Sequence, residues 1–215
     1  MPMSANRRKP ARRLPVRLAI PLLVLCGLGA SPGQAEHAAT LDSPYREVTE
    51  VAPPGYDNDL LGDTLCLPAE RRMGHQTPFE AWRARTATGS DQERVIGVVL
   101  PVVTGRGYHG DISLVVGIDA EGAITGARVT DHHETQGLGD AIETRRSDWI
   151  RQFDGRSLDD PAGGWALRGD GGEFDGLSGA TVTARAVVSA VHQALCYFDL
   201  HRERLLAPDA ERAAP

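Results

Sequence analysis

The chain has 215 residues, 41 % of them hydrophobic and only 5 % aromatic, so it can bury a sizeable core and that core must be mostly aliphatic. Its formal charge of −6 hides an asymmetry: Arg7, Arg8, Lys9, Arg12, Arg13 and Arg17 occupy an acid-free start, and the remainder carries 17 basic against 29 acidic side chains. A net-acidic body lacks the basic face that broad nucleic-acid binding needs, so no nucleic-acid partner is expected.

The first 35 residues follow the basic, apolar, small-residue order of a secretory signal. After the arginines comes "LAIPLLVLCGLGA", Leu18 to Ala30, then "SPGQAEHAA" with small residues at Gly33 and Ala35. The apolar run is short of the roughly 20 residues of a spanning helix. Extended from Leu14 to Ala35 it would make a signal anchor, interrupted by Pro21 and Pro32. Residues 1–35 are read as a signal peptide or signal anchor. Basic residues before the apolar run predict that the body lies outside the cytoplasm. Leu25 stands where a lipoprotein would need a small residue before Cys26.

Residues 36–78 read as a linker with short elements, because Pro53 and Pro54 preclude a long helix. "PFEAWRAR", Pro78 to Arg85, suggests a short helix. "RVIGVVLPVV", Arg94 to Val103, is β-branched and apolar, which predicts a strand. "GRGYHGD" is a glycine-rich loop. Ile112, Leu114, Val116 and Ile118 then alternate in strand fashion. The four residues Asp119 to Gly122 make a turn, and Ile124 and Val129 lie on the return strand of a hairpin. "HHETQGLGDAIETRRSDWIRQF" begins as a loop and becomes helical near Asp140. "DGRSLDDPAGG" is a loop and "WALRGDGG" a brief strand and turn. From Thr183 to Leu200, Val187, Val188, Val191, Leu195 and Phe198 form one apolar helical face. Residues 206–215 read as a disordered tail. Hairpins with helices between and after them define an α+β fold: an antiparallel sheet with packed helices. The strict strand–helix alternation of a doubly wound fold is missing, so a dinucleotide site of that kind is not expected.

The loop "EFDGLSGATVT" crowds Gly, Ser and Thr before the last helix. Ser178, Thr181 or Thr183 could cap that helix. Equally, Gly176 and Gly179 would let an anion approach its free N–H groups. No Walker lysine follows, which argues against a nucleotide-hydrolysing loop. Cys66 and Cys196 could form a disulfide in an oxidising compartment, or Cys196 could be a small apolar helix residue. His132 and His133 are adjacent on an extended segment and point to opposite faces; with no other Cys or His cluster nearby, no metal is expected.

"DGLSGAT", Asp175 to Thr181, resembles the flavinylation motif of bacterial FMN-binding domains. The match runs Asp175, Gly176, Leu177, Ser178, Gly179, Ala180, Thr181. "HHETQGLGD" resembles the His-x-Glu-Thr-x-Gly-Leu-Gly-Asp segment of the G subunit of the Rnf electron-transport complex, and "GYHGDISLVVGID" resembles its Gly-Tyr-x-Gly loop and following strand. The family often has Lys and Pro where this chain has His133 and Gln136. The related C subunit of the sodium-pumping NADH:quinone reductase shares the flavin motif. The resemblance covers residues 79–205 and implies an FMN-binding domain there, with FMN joined covalently through its phosphate to Thr181 by a separate flavin transferase acting on FAD.

The same resemblance implies a redox subunit without independent catalysis. It would carry electrons between ferredoxin and NAD in a membrane-bound ion-translocating complex, with the other subunits as partners. A free-standing exported periplasmic flavin carrier is the alternative; a non-redox module with a merely capped helix is a third. Expected walls for the flavin ring are Tyr108, Leu138, Leu177 and Trp149. Expected polar contacts are His109, His132, Glu134 and Thr135, with Gly137 in the loop, and Asp175, Ser178, Gly179 and Ala180 around the attachment point.

Overall fold

The computed structural model describes residues 45–88 and 92–208, all within one compact unit spanning Leu41–Pro215. The targeting segment, the start of the expected linker and the last seven residues lie outside the described residues. Among the described residues, no helix is long and apolar enough to cross a membrane.

The fold is α+β, as the pattern of hairpins and helices predicts. Strands β1 (Thr64–Leu67), β2 (Phe79–Thr88), β3 (Gln92–Gly107), β4 (Gly110–Asp119) and β5 (Ile124–His132) form one antiparallel sheet in chain order. Helix α1 (Arg46–Val51) precedes the sheet and α2 (Thr181–Leu206) ends the fold. β3 shows why the sheet is covered twice. Val98, Leu100 and Val102 belong to the large core under α2, while Val99 belongs to a smaller cluster with Val48 and Val51 of α1, Leu60, Ala84 and Val115. Successive strand residues point to opposite faces, so an apolar run such as "VVLPVV" needs a partner on each side.

The predicted hairpin is present. Ile112, Leu114, Val116 and Ile118 are all buried, and Asp119 closes the turn through its Oδ1, which accepts the N–H groups of Glu121 (3.1 Å) and Ala123 (2.8 Å). The expected glycine-rich loop is a tighter hairpin: Gly107 pairs with Gly110, leaving Tyr108 and His109 as the tip between β3 and β4. All five apolar residues predicted for the α2 face are buried.

One expected helix is a strand, and another is reduced to short 3-10 segments. "PFEAWRAR" is β2, paired with β1 and β3. Its strand alternation is disguised because Arg83 and Arg85 are buried, each only 3 % exposed, and both ion-pair with Asp63. The stretch after Asp140 makes only two short 3-10 turns, Gly139–Ile142 and Trp149–Phe153. Between Ile142 and Trp149 there is no apolar anchor for a helical face. The Ser147 hydroxyl also competes for the backbone, donating to Ala141 O (2.6 Å) and accepting from Trp149 N–H (3.1 Å).

Cys66 and Cys196 are both free thiols and exposed, so they form no disulfide, and Cys196 lies on α2, as the helix reading has it.

Candidate functional site

Three segments distant in sequence meet at the start of α2. The β3–β4 tip brings Tyr108, the loop after β5 brings Thr135, Leu138 and Gly139, and the Ser-Gly-Ala-Thr turn brings Gly179, Ala180 and Thr181. With Val182 and Thr183 they line a cleft of about 520 Å³, within the range of small-molecule sites. Its rim is apolar: Tyr108, Leu138 and Val182 are 66 %, 45 % and 45 % exposed.

Local chemistry builds each wall. The Thr135 carbonyl accepts three N–H groups, from Leu138 (3.2 Å), Gly139 (2.9 Å) and Asp140 (3.2 Å), which folds the loop back on itself. Gly137 N–H donates to Asp140 Oδ1 at 2.8 Å, so Gly137 shapes the loop without lining the cleft. Gly179 has φ +76°, a left-handed conformation, and a side chain there would press on Leu138.

The capping readings fail. Ala180 occupies the N-cap position and no side chain caps α2. Ala180 N–H is used by Leu177 O (3.0 Å), while the first-turn N–H groups of Thr181, Val182 and Thr183 have no intrahelical partner. Thr181 is exposed at the first helical position and lines the cleft. An uncapped helix start with partial positive charge is suited to a phosphate.

Other expected site residues stand further back. Glu134 is only 6 % exposed. Its Oε1 accepts His109 N–H (2.9 Å) and its Oε2 accepts the Thr183 hydroxyl. Burial pushes the Glu134 carboxyl up, but the His109 N–H, the Thr183 hydroxyl and the Tyr108 backbone outweigh it and hold it below the ordinary value of 4.5. Glu134 N–H donates to His132 Nδ1 (3.0 Å), which puts the ring proton on Nε2, facing Glu143 Oε1 at 2.7 Å. His132 is thus one step behind the cleft wall. His109 is exposed, its Nδ1 3.4 Å from Thr135 Oγ1.

Asp175 lies outside the cleft. Its exposed carboxylate pairs with Arg168 at 2.7 Å, its N–H donates to Gln152 Oε1 (2.7 Å), and its carbonyl accepts Trp149 Nε1–H (2.7 Å). Trp149 is therefore a brace packed on Phe153, not a cleft wall. Leu177 is half-buried against the core and Ser178 is exposed beside the turn. Val182 lines the cleft without having been expected there, as does Thr183, expected only as a cap. Thr183 carried a signal: a hydroxyl that does not cap needs a partner when buried.

These features set an apolar-rimmed cleft against an uncapped helix start, and residues 107–196 match the FMN-binding domain family. The G subunit of the ion-translocating oxidoreductase complex from Pseudomonas aeruginosa (strain UCBPP-PA14) is 44 % identical over 213 residues, covering 96 % of this chain and 97 % of that protein. The protein of the same name from Cereibacter sphaeroides (strain ATCC 17029 / ATH 2.4.9) is 55 % identical over 154 residues, 71 % of this chain and 66 % of that one. The crystal structure of Shewanella oneidensis NqrC is 22 % identical with a TM-score of 0.46, over 75 % of this chain and 74 % of that chain. The chain belongs to the family of G subunits of the ion-translocating oxidoreductase complex.

Proposed function

We propose that this protein is the FMN-carrying electron-transfer subunit of an Rnf-type ion-translocating oxidoreductase complex, with FMN joined through its phosphate to Thr181. The observation that carries the reading is the exposed Thr181, at the last position of "DGLSGAT", on an uncapped helix start that opens into an apolar-rimmed cleft. The residues fit the cofactor. The free N–H groups of the first turn suit a phosphate, Tyr108, Leu138 and Val182 offer apolar surface to a ring, and Thr135 and the loop backbone offer polar contacts. Bound flavin supplies the redox chemistry; the protein supplies attachment, orientation and the local field.

Thr181 is also the hydroxyl best placed for attachment. Thr183, two residues on, is 1 % exposed and committed to Glu134. In the attachment step, the Thr181 oxygen displaces AMP from FAD: a Thr–O–P bond forms, the bond between the two phosphates breaks, and the hydroxyl proton leaves. A hydroxyl is a weak nucleophile alone, so a flavin transferase and its metal supply the activation. Asp175, Leu177 and Ser178, braced by Arg168, Gln152 and Trp149, present the segment that the transferase meets. Tyr108, Leu138, Gly179 and Ala180 then enclose the attached group, with Gly137, Glu134 and His132 supporting that wall. The body lies in the periplasm, tethered through residues 1–35 beside the other subunits of the complex.

Intact-protein mass after co-expression with a flavin transferase tests the reading. The wild type gains the mass of FMN less one water, and Thr181→Ala gains none. No added mass in the wild type, in cells whose transferase is active, refutes covalent FMN. The same spectrum shows whether residues 1–35 are retained; a cleaved chain would favour a free-standing periplasmic carrier.

A further inference from the structure

We propose that Glu134 and Thr183 form a buried latch that fixes the flavin cleft, with Glu134 acting as a positioning residue that ties the β3–β4 tip to the first turn of α2. The inference rests on the flavin reading above. It changes the role of Glu134 from a ligand contact to a support.

Four observations converge. Glu134 is buried, and its two oxygens face different elements: Oε1 takes His109 N–H at the hairpin tip, and Oε2 takes the Thr183 hydroxyl on α2. Thr183, at 1 % exposure, makes that bond instead of capping the helix. Space has been cleared for the carboxylate: a Cβ on Gly107 would stand 2.7 Å from Glu134 Oε1, and one on Gly139 would stand 2.8 Å from Glu134 Cβ and 3.3 Å from Thr183 Oγ1. Finally, the backbone of Glu134 is held from behind by His132 Nδ1, and His132 in turn by Glu143, which Arg145 grips.

The geometry of the consequence is direct. Tyr108 belongs to the tip, Thr181 and Val182 to the helix start, and Leu138 and Gly139 to the loop between. Glu134 touches all three segments, so it sets how far apart the cleft walls stand. A lost bond to Thr183 releases the tip from the helix while Thr181 stays exposed for attachment. The latch therefore governs how the flavin ring is held, not whether FMN is joined.

The test uses the full chain co-expressed with a flavin transferase, as wild type, Thr183→Val, Thr183→Ser and Glu134→Asp. Intact mass reports attachment; visible circular dichroism and fluorescence anisotropy of the attached flavin report how rigidly its ring is seated. Per FMN attached, Thr183→Val should lose most of the visible dichroism and anisotropy, and Thr183→Ser should restore both. Glu134→Asp keeps the charge but is one methylene too short to span both donors, and should show the same loss with Thr183 intact. Wild-type dichroism and anisotropy in Thr183→Val overturn the latch. If that variant does not fold, wild-type signals in Glu134→Asp overturn it instead. A wild type without added mass removes the flavin reading and this inference together, an outcome visible before any variant is compared.

Discussion

Two carboxylates shielded from solvent do different work in this fold. Asp63, half-buried beside β1, faces full positive charges: Arg83 Nε lies 2.8 Å from Oδ1, Arg85 grips Oδ2, and both guanidiniums are buried. Glu134, beside the cleft, is met by an N–H and a hydroxyl and, among the described residues, by no cation at hydrogen-bond distance. Asp63 is neutralised in place and welds β2 to the segment before β1. Glu134 is solvated by dipoles, so its charge remains as a negative field behind the cleft. Dipoles can hold a charge where they are fixed by other elements, and the hairpin tip and α2 fix these.

Breaking the first site should have the larger effect on stability. Asp63→Ala removes the carboxylate shared by two buried arginines. Removing one partner of a buried ion pair costs about 3–5 kcal/mol, and the half-buried Asp63 belongs at the lower end of that range. Denaturant unfolding should show that loss, while the flavin dichroism of the loaded protein stays unchanged. A changed flavin signal would mean that the two sites are not separate.

The second site should give a smaller effect on stability and a specific one on redox. Glu134→Gln keeps the shape, and the Thr183 hydroxyl can turn to accept from the new amide. The negative field disappears, which favours the electron-rich reduced flavin, so the midpoint potential should rise. The rise should be a fraction of the roughly 4 kcal/mol that two unit charges exchange at 4 Å in an effective dielectric of about 20. Redox titration of the loaded chain measures it; an unchanged or lower potential would show that the charge is already screened.

The same two carboxylates show what a sequence discloses. Elements whose partners are repeated locally were legible. The alternation Ile112 to Ile118 gave β4, and the periodic valines gave α2. The order of "GYHGD", "HHETQGLGD" and "DGLSGAT" carried the family, and Tyr108, Thr135, Leu138, Gly179, Ala180 and Thr181 do meet in one cleft. Elements whose logic depends on distant partners were not legible. β2 looked helical because Arg83 and Arg85 occupy buried positions, and the carboxylate they share, Asp63, lies some 20 residues away in the chain. Glu134 looked like a ligand contact because its donors come from positions 109 and 183. A polar residue in a motif says that the position is constrained; only the fold says whether its side chain faces the ligand or braces the wall.

Acid titration sharpens the comparison with the smallest effect. Burial pushes the His192 imidazole, stacked on Trp165, below its ordinary value of 6.5. The unfolded chain therefore binds that proton first, and stability falls as pH drops below 6.5 until the folded value is passed. Glu134 sits below its ordinary value of 4.5 for the balance of burial and donors described above, and Glu143 does so chiefly through Arg145, against burial. Their stabilisation is complete above 4.5 and is lost as pH falls through the folded values. Asp154, pushed up by burial, works in the opposite direction, because its folded form holds a proton more readily than its unfolded form. A melting curve against pH should thus fall in two limbs. His192→Gln should flatten the upper limb and leave the lower one, and Thr183→Val should shorten the lower limb by removing one donor from Glu134. An upper limb that survives His192→Gln would assign it elsewhere. A lower limb indifferent to Thr183 would mean that the Glu134 carboxylate is held by the hairpin tip alone, and the contrast with Asp63 would then lie in a single element instead of two.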